Sequence, residues 1–344
     1  MKYLLVCLLI ASFFARADAN EYNHFAQTVH AAPRALTTAI TTPVHIAVIS
    51  PDQQSSDYWR RNLISMTARL EALQIPYQLD HYSSQPGQEQ LQEQQLAQAL
   101  KKTPDVLVIN IDSAQIIKLL GRVLYRGKPA VIIQNQTTER NAWLTHPPLL
   151  YTGFDHMEGS RLLAEYLFDQ HGNQARYAVL YGTEGEVSRL RGEGFRQVAT
   201  RRHAPAPVME YYTDNTPDKI SRATHEILDN AADIDFIFCT TTDIALTAAS
   251  TIQSVAPQTT ITLNGWGGGE AELQAMAAGQ LAVTVMRMND DSGVSIAEAI
   301  KCVCEGRREN IPAVFSGEIK LLPISALSQV DAFKHQAFRY SGIQ

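Results

Sequence analysis

The chain has 344 residues, 45% of them hydrophobic, and a formal net charge of −6. This length suits two domains better than one, and the apolar content is enough for a substantial core, which excludes a disordered chain. The sequence has no long run of Lys or Arg and no zinc-finger or basic-helix pattern, so nucleic acid is not an expected partner.

The N-terminus has the pattern of a secretory signal peptide. Lys2 precedes the apolar run YLLVCLLIASFFA (residues 3–15), which is too short to span a bilayer comfortably and is followed by small residues. We therefore expect residues 1–19 to be a signal peptide and the mature protein to be exported. Residues 20–43 are interpreted as a polar leader. No later segment is apolar over about 18 residues, so no direct membrane insertion is expected.

Short apolar runs alternate with helical patterns after this leader. The run VHIAVIS precedes a helix that carries Leu63, Met66, Leu70 and Leu73 on one face. Further runs follow with the same alternation: YQLDHY before a Gln-rich helix, DVLVINI before AQIIKLLGRVL, and AVIIQN. Strands that alternate with helices predict a parallel sheet.

A second series begins after the loop TTERNAWLTHPP. Its strands are predicted in LLYTGF, RYAVLYG, VMEYY, DFIFCT and TITLNGW. The near-continuous Val, Ile and Leu in these runs indicates burial on both faces, as in doubly wound sheets. We predict an α/β fold of two doubly wound, Rossmann-like parallel-sheet lobes joined by crossing strands.

Arg287 is unusual for its position. It stands in AVTVMRMNDDSG (residues 282–293), where β-branched and apolar residues predict a buried strand. A guanidinium is rarely fully buried unless something pairs its charge. The candidate partners within the chain are Glu184, Asp112 and Asp290.

Polar side chains follow the ends of the predicted strands, where open α/β sheets bind ligands because loops and helix N-termini converge there. The first series has Gln53, Gln54, Ser56, Trp59, Asn110, Asp112, Gln134 and Asn135, and the second has Glu184, Arg189, Arg191, residues 240–243, Asn264, Trp266 and Arg287. Singly, most of these residues are ordinary N-caps or solvated side chains. Together they predict a cleft with hydrogen-bonding groups, two tryptophans and at least two arginines.

Signs of catalysis and of metal binding are weak. The sequence has no phosphate-loop motif, no Gly-x-Ser-x-Gly elbow and no His-Glu-x-x-His helix, and Glu270 replaces the last glycine of a dinucleotide fingerprint in GWGGGE. Cys239 lies in an apolar strand, while Cys302 and Cys304 have poor spacing for a disulfide or a shared metal. We interpret them as core or surface thiols, with a Cys–His metal site as the alternative. An exported binding protein is favoured over an enzyme.

Five motifs resemble those of the type I periplasmic binding proteins, the family of the ribose and galactose receptors: QQSSDYW, YTGFDHMEGSR, NGWGGG, TVMRMNDDSG and AFRYS. Within this family they resemble the receptors for the quorum-sensing signal autoinducer-2, over nearly the whole mature chain. The resemblance implies that the exported protein lies in the periplasm and that it has two lobes joined by a three-strand hinge. One lobe would contain residues 44–152 and 267–315, and the other 153–266 and 316–344.

The resemblance also implies a ligand site. Its residues are Gln54, Ser56, Trp59, Asn110, Asp112, Asn135, Arg191, Thr242, Trp266 and Arg287. Asn110 stands where a threonine is expected, which leaves the fine ligand preference open. The implied ligand is the furanosyl borate diester of autoinducer-2, which contains boron, and no cofactor is implied. Arg191 and Arg287 would pair its negative charge, because a guanidinium has fixed donors and stays charged.

The implied mechanism involves no covalent chemistry. The lobes close on the ligand, which supplies differential affinity for the closed state, and the signal passes to the periplasmic domain of a membrane sensor histidine kinase of the LuxQ type. Trp59 and Trp266 are expected to flank the ligand. The alternative is a sugar-binding component of an ABC importer or chemoreceptor, although a neutral sugar gives no reason for two arginines. A third hypothesis, an exported sugar-modifying enzyme, needs a suitably spaced acid pair.

Overall fold

The computed structural model describes residues 22–52, 56–85, 88–111, 113–230 and 233–342. The predicted signal peptide lies outside the described residues, as do Gln54 and Asp112. The chain forms two compact units, each built from separate segments. Among the described residues, unit 1 comprises 22–52, 61–153 and 289–317, and unit 2 comprises 56–60, 154–288 and 318–342.

Helices and strands alternate along the chain. The first half contains α1 (22–30), β1 (Val44–Pro51), α2 (Tyr58–Ala72), β2 (Tyr77–Ser84), α3 (Glu89–Lys101), β3 (Val106–Asn110), α4 (Ala114–Arg126), β4 (Ala130–Gln134), a 3-10 turn (Asn141–Trp143) and β5 (Leu150–Gly153). The second half contains α5 (His156–His171), β6 (Tyr177–Tyr181), α6 (Glu186–Arg201), β7 (Met209–Tyr212), α7 (Pro217–Asn230), β8 (Phe236–Cys239), α8 (Thr242–Val255), β9 (Thr262–Leu263), α9 (Glu270–Ala277), β10 (Val283–Arg287), α10 (Asp290–Cys304), a 3-10 turn (Arg308–Asn310), β11 (Val314–Ser316), β12 (Ile319–Pro323), a 3-10 segment (Ile324–Gln329) and α11 (Val330–Ala337).

Unit 1 contains a six-stranded sheet of order β11-β5-β4-β3-β1-β2, in which every pair is parallel. All five residues of β3 are buried, which fits a sheet covered on both faces. Ile49, Ile109 and Ile133 from three neighbouring strands share one core cluster with Leu120 of α4. The run LLYTGF was predicted to open the second series, but β5 pairs with β4 and therefore belongs to unit 1.

Unit 2 contains a parallel sheet of order β7-β6-β8-β9 and an antiparallel pair of β10 with β12. Residues 267–288, assigned to the first lobe by the sequence analysis, lie in unit 2. Two contacts explain this position. Arg287 pairs with Ile319 of β12, and Met276 and Met286 pack in the same core cluster as residues of β8. Two further boundaries fall after Gly153 and Gly317, and residues 56–60 at the start of α2 also belong to unit 2.

The segment before β1 is more ordered than the predicted polar leader. Residues 22–30 form α1, whose Phe25 and Val29 are buried. The ring of Phe25 packs edge-on against Phe315, with centroids 5.7 Å apart. The segment is therefore part of the core of unit 1, and the apolar residues of α1 were too few to predict a helix.

The three cysteines among the described residues are free thiols. Cys239 is buried, and Cys302 and Cys304 are half-buried. Burial raises the pKa of all three thiols. The described residues contain no group of three or more His, Cys, Asp or Glu side chains that could hold a metal ion. They also contain no helix that combines the length and apolar character needed to span a membrane.

Gly194 sets the crossing of α5 and α6 in unit 2. A Cβ atom at this position would lie 2.3 Å from the carbonyl oxygen of Met157, which is backbone and cannot rotate away. We expect Gly194→Ala to lower the free energy of unfolding by about 1–3 kcal/mol through overpacking, measured by urea denaturation.

Gly121→Ala is the matched control for this prediction. Gly121 also lies within a helix, but its Cβ would meet the nearest neighbouring atom at 3.4 Å, an ordinary contact. This variant should be neutral or more stable than the wild type, because Ala is the better helix former. Equal stability of Gly194→Ala and Gly121→Ala would contradict the close crossing.

Candidate ligand-binding site

Four of the predicted site residues of unit 2 come from the carboxyl ends of its strands. Thr242 is the first residue of α8, Trp266 follows β9 by three residues, and Arg287 is the last residue of β10. Arg191 lies in the second turn of α6, which follows β6. Parallel bridges from Asn264 and Gly267 to β10 bring the loop of Trp266 alongside Arg287. These strand ends of unit 2 therefore lie side by side, and the role of their residues in ligand binding stays a prediction.

Arg191 stacks on Trp266. The guanidinium carbon lies 3.5 Å from the centroid of the indole, and both side chains are buried. The indole Nε1 donates a hydrogen bond to the hydroxyl of Ser160 on α5, at 3.1 Å. Gly159 makes this position possible, because a Cβ there would lie 2.6 Å from the ring. The sequence of α5 thus provides the space for the ring beneath Arg191.

Arg191 also makes two hydrogen bonds. Its Nη1 donates to the carbonyl oxygen of Thr240 at 2.5 Å, and its Nε donates to Nδ1 of His156 at 3.3 Å. Burial lowers the pKa of Arg191 well below its usual range, and the charge of Arg287 lowers it further, while Glu272 acts in the opposite direction. The guanidinium charges of Arg191 and Arg287 therefore repel each other, and both groups are buried.

Arg287 lies among aromatic rings. Its guanidinium carbon is 4.4 Å from the ring centroid of Tyr58, 5.8 Å from that of Phe154 and 5.9 Å from that of Trp266. The Nε atom is buried and has no hydrogen-bond partner within the described residues. Burial lowers the pKa of Arg287, and Tyr58 and Glu272 act against this shift.

No carboxylate in the described part of unit 2 forms an ion pair with Arg287. Of the three partners considered from the sequence, Glu184 is the one in unit 2, and it is exposed. Attraction to aromatic faces stabilises a desolvated cation by about 2 kcal/mol, which is smaller than the effective desolvation cost of several kcal/mol per ion. A bound anion would therefore offset part of the desolvation cost of the Arg287 guanidinium.

The charge of Glu272 acts to raise the pKa of both arginines, but its oxygens accept hydrogen bonds from the loop NGWGGG and from a neighbouring hydroxyl. They accept hydrogen bonds from the backbone N–H groups of Trp266 and Gly268, each at 2.8 Å, and from the hydroxyl of Thr284 at 2.6 Å. The side chain is buried. It therefore fixes the turn that carries Trp266.

Gly267 allows Arg287 to approach the same turn. A Cβ atom at Gly267 would lie 2.9 Å from Nη2 of Arg287 and 3.2 Å from the hydroxyl oxygen of Thr242. That hydroxyl donates to the carbonyl oxygen of Trp266 at 3.3 Å. Thr242 and Arg287 are thus brought together by a residue that has no side chain.

Ser56 and Trp59 join this cluster from the start of α2. Trp59 packs edge-on against Tyr58 with centroids 4.8 Å apart, and both rings are buried. The backbone oxygen of Ser56 lies 3.1 Å from where a Cβ of Gly269 would stand. Trp59 therefore reaches the cluster through Tyr58, whose ring lies beside Arg287, and Ser56 lies against the loop that carries Trp266. The placement of the tryptophans beside a ligand stays a prediction.

The sheet of unit 1 carries a second polar edge. Asn110 ends β3, and its backbone partner across the sheet is Gln134 at the end of β4, followed by Asn135. Asn135 adopts a left-handed backbone with φ of 60°. The carbonyl oxygen of Asn110 accepts a hydrogen bond from the Gln92 side chain at 3.1 Å. The structure thus brings Asn110 and Asn135 together at one edge of unit 1.

Several residues of the unit 2 cluster were not among the predicted site residues. They are Tyr58, Phe154, His156, Thr240 and Glu272. The hydroxyl of Thr240 is buried and has no hydrogen-bond partner in the described structure. Tyr58, Phe154 and His156 lie inside the motifs QQSSDYW and YTGFDHMEGSR. Their position in these motifs was the signal that could have identified them.

The arrangement suits binding of a small, oxygen-rich molecule. Guanidinium groups present several N–H donors in a fixed plane, and aromatic faces pack against the apolar faces of sugar-like rings. The unused Nε donor of Arg287 and the unused hydroxyl of Thr240 add two further polar contacts.

Comparisons with known proteins agree with this description. Residues 46–308 match the model of the family described as "Periplasmic binding protein domain". Among solved structures, an ABC transporter solute-binding protein from Bacillus halodurans with bound myo-inositol is 17% identical with a TM-score of 0.72, over 86% of this chain and 100% of that chain. A solute-binding protein from Agrobacterium vitis with alpha-D-tagatopyranose is 16% identical with a TM-score of 0.74, over 84% and 98%.

A third similar chain comes from a structure described as the XylFII–LytSN complex. It is 15% identical with a TM-score of 0.70, over 83% of this chain and 100% of that chain. At these identities the likeness shows the fold, which is the predicted type I periplasmic binding protein fold with parallel-sheet α/β units. The family consists of ligand-binding proteins, which supports the interpretation as a binder over an enzyme. Because the family model covers more than half of the sequence, this chain belongs to the periplasmic binding protein domain family.

Proposed function

We propose that the protein is a periplasmic receptor for a small, sugar-like anion, and that this ligand is autoinducer-2 as its furanosyl borate diester. The observation that carries the proposal is the pair of buried guanidinium groups in unit 2. Among the described residues of unit 2, no carboxylate forms an ion pair with Arg287, and the charge of Arg287 adds to burial in lowering the pKa of Arg191. A negative ligand would turn this repulsion into attraction.

The chemistry of a borate diester matches this site. Tetrahedral borate carries one negative charge, which two guanidinium groups can share through their N–H donors. The remaining ring oxygens can accept from Arg287 Nε or exchange a hydrogen bond with the Thr240 hydroxyl, both unused within the described residues. The rings of Trp266 and Tyr58 would cover the apolar parts of the furanose.

The motif resemblance supports the same ligand. QQSSDYW, NGWGGG and TVMRMNDDSG are similar to segments of LuxP, the autoinducer-2 receptor. From this resemblance we propose that the receptor signals through the periplasmic domain of a LuxQ-type sensor histidine kinase, and that it closes on its ligand. The solved XylFII–LytSN complex shows that another protein of this fold occurs in a complex.

The second candidate is a sugar-binding component of an ABC importer. The comparisons favour it over the signalling role, because the similar structures hold myo-inositol and a tagatopyranose and are described as ABC transporter proteins. In this case Arg191 and Arg287 would donate to neutral hydroxyl groups. Their mutual repulsion would remain, since a neutral sugar adds no compensating charge.

Titration with a ligand panel separates the two candidates. The purified mature protein is heated with the autoinducer-2 precursor plus borate, with the precursor in borate-free buffer, and with ribose, tagatose or myo-inositol. We expect a large rise in Tm with precursor plus borate. A ligand at 100 times its Kd stabilises the folded state by about 2.7 kcal/mol.

Two controls test whether the rise in Tm requires both the precursor and borate. Borate alone should leave Tm unchanged, and precursor without borate should give a much smaller rise. A rise with ribose, tagatose or myo-inositol that is unaffected by borate would contradict the receptor proposal and establish the sugar-binding alternative.

A further inference from the structure

A basic stripe lies on α4 of unit 1. Between residues 113 and 147 the sequence has five Lys or Arg residues and one acidic residue, although the whole chain has a net charge of −6. Lys118, Arg122 and Arg126 are exposed and follow at intervals of four residues, so they lie on one side of the helix. Lys128 and Arg140 come from the adjoining loops.

These five cations differ from most of the other basic residues. Within the described structure none of the five forms an ion pair, and the Nε atom of Arg140 is buried without a hydrogen-bond partner. Basic side chains of unit 2, by contrast, commonly have carboxylate partners: Arg161–Glu158, Arg189–Glu186, Arg196–Glu193, Arg202–Asp169 and Lys334–Glu270. The stripe on α4 therefore presents uncompensated positive charge.

An apolar groove runs beside the stripe. It has a volume of about 600 Å³, and its lining includes Ile117, Lys118, Tyr125, Trp143 and His146. Trp143 is buried at its wall, whereas 74% of Tyr125 is exposed, an unusual fraction for a large aromatic side chain. The rings of Tyr125 and His146 lie 5.1 Å apart. We call this groove and the stripe together the α4 surface.

We propose that the α4 surface docks an acidic amphipathic segment of a partner protein. Carboxylates of the segment would pair with Lys118, Arg122 and Arg126, and an apolar side chain beside them would enter the groove between Tyr125 and Trp143. Charge complementarity selects an acidic partner, since the stripe offers cations that no carboxylate of the described structure neutralises. This proposal does not depend on the identity of the small ligand.

The shape of the α4 surface favours a protein over an anionic membrane. A bilayer surface is flat on this scale and would contact the exposed cations without filling a groove whose wall is the buried Trp143. A peptide side chain can enter such a groove, and aromatic residues with Arg are typical of protein interfaces. The test therefore includes vesicles as a competing occupant.

The experiment uses the full mature protein and three fluorescein-labelled helical peptides of equal length. Each peptide has Leu and Phe on one face. At intervals of four residues the first carries three Glu, the second three Gln and the third three Lys. Binding is followed by fluorescence anisotropy at about 50 mM and about 150 mM salt. We expect the Glu peptide to bind at least about tenfold more tightly than the Gln peptide, with a smaller margin at the higher salt.

Variants locate the site. The triple change Lys118→Glu, Arg122→Glu and Arg126→Glu should weaken the Glu peptide at least about tenfold, and Tyr125→Ala should weaken it several-fold. The control Arg222→Glu changes a basic residue of α7 in unit 2 and should have no effect. Circular dichroism and Tm of each variant show whether it is folded.

Three results would overturn the proposal. Equal affinity for the Glu and Gln peptides would show that charge does not determine binding. Equal affinity of the wild type and a folded triple variant for the Glu peptide would show that the basic stripe is not the binding site. Cosedimentation with vesicles of 30 mol% phosphatidylglycerol, without binding of the Glu peptide, would make the α4 surface a lipid contact.

Discussion

Replacing Arg287 with Met is expected to weaken binding of the borate diester about 30-fold or more, and Arg191→Met should do the same. Either change leaves the ligand charge partly unpaired in a desolvated site, which typically costs about 2–5 kcal/mol. Affinity is measured by calorimetric titration with precursor plus borate.

Stability without ligand should respond differently. Arg287 forms no ion pair with a described carboxylate of unit 2, and its pKa is lowered by burial, so Arg287→Met should be neutral or stabilising when no ligand is present. Arg191→Met removes the hydrogen bonds to Thr240 and His156 and is expected to cost more. Melting curves of both variants, with and without ligand, check this difference.

Arg189→Met is the matched control, because Arg189 lies two residues before Arg191 on the same helix. Its side chain is exposed and pairs with Glu186, so neither affinity nor stability should change by more than a few tenths of a kcal/mol. Retained affinity in Arg287→Met and Arg191→Met, with a large loss of ligand-free stability, would show that both arginines are structural. The neutral-sugar candidate would then be the better one.

Replacing Arg69 with Met should lower the free energy of unfolding of the protein by about 3–5 kcal/mol. Arg69 is 1% exposed and pairs with Glu298 of α10, with Nε 2.7 Å from Oε1. It also donates to the carbonyl oxygens of Thr28 and Ala31 at the end of α1. The variant leaves the Glu298 charge buried without its partner and removes two bonds that hold α1.

Two further variants serve as controls for Arg69→Met. The free energy of unfolding of all three variants is measured by urea denaturation at pH 7. Arg69→Met combined with Glu298→Leu should recover part of the loss, because an apolar pair can replace a buried ion pair at little cost. Arg161→Met removes an exposed pair with Glu158 on α5 and should change stability by about 1 kcal/mol or less. A loss for Arg69→Met no larger than that for Arg161→Met would contradict the structural role of Arg69.

Much of the fold followed from the sequence because its signals are local. A strand buried on both faces needs a continuous apolar run, as in β3, and an amphipathic helix needs apolar residues at helical spacing, as in α2. The positions of Arg191, Thr242, Trp266 and Arg287 at strand ends followed from the same alternation. Parallel strands place their carboxyl ends at one edge whatever the details of packing.

The assignment of residues 267–288 required the tertiary structure. The run of β10 reads as one more buried strand, and nothing local distinguishes a parallel neighbour from the antiparallel pairing with β12 found here. The helix α1 was missed for a similar reason. Its order depends on Phe315 and Arg69, which are distant in sequence and contribute nothing to a local pattern.

The electrostatic state of Arg287 also required the tertiary structure. The sequence showed that a guanidinium in a buried strand needs a partner, and it offered Glu184, Asp112 and Asp290 as candidates. Only the packing of unit 2 showed that Tyr58, Phe154 and Trp266 surround the charge and that the nearby Glu272 serves backbone N–H groups instead. Sequence thus determined which chemical groups meet at the strand ends, because that depends on topology. Three-dimensional packing decided which of their charges are compensated, because that depends on distances between residues far apart in the chain.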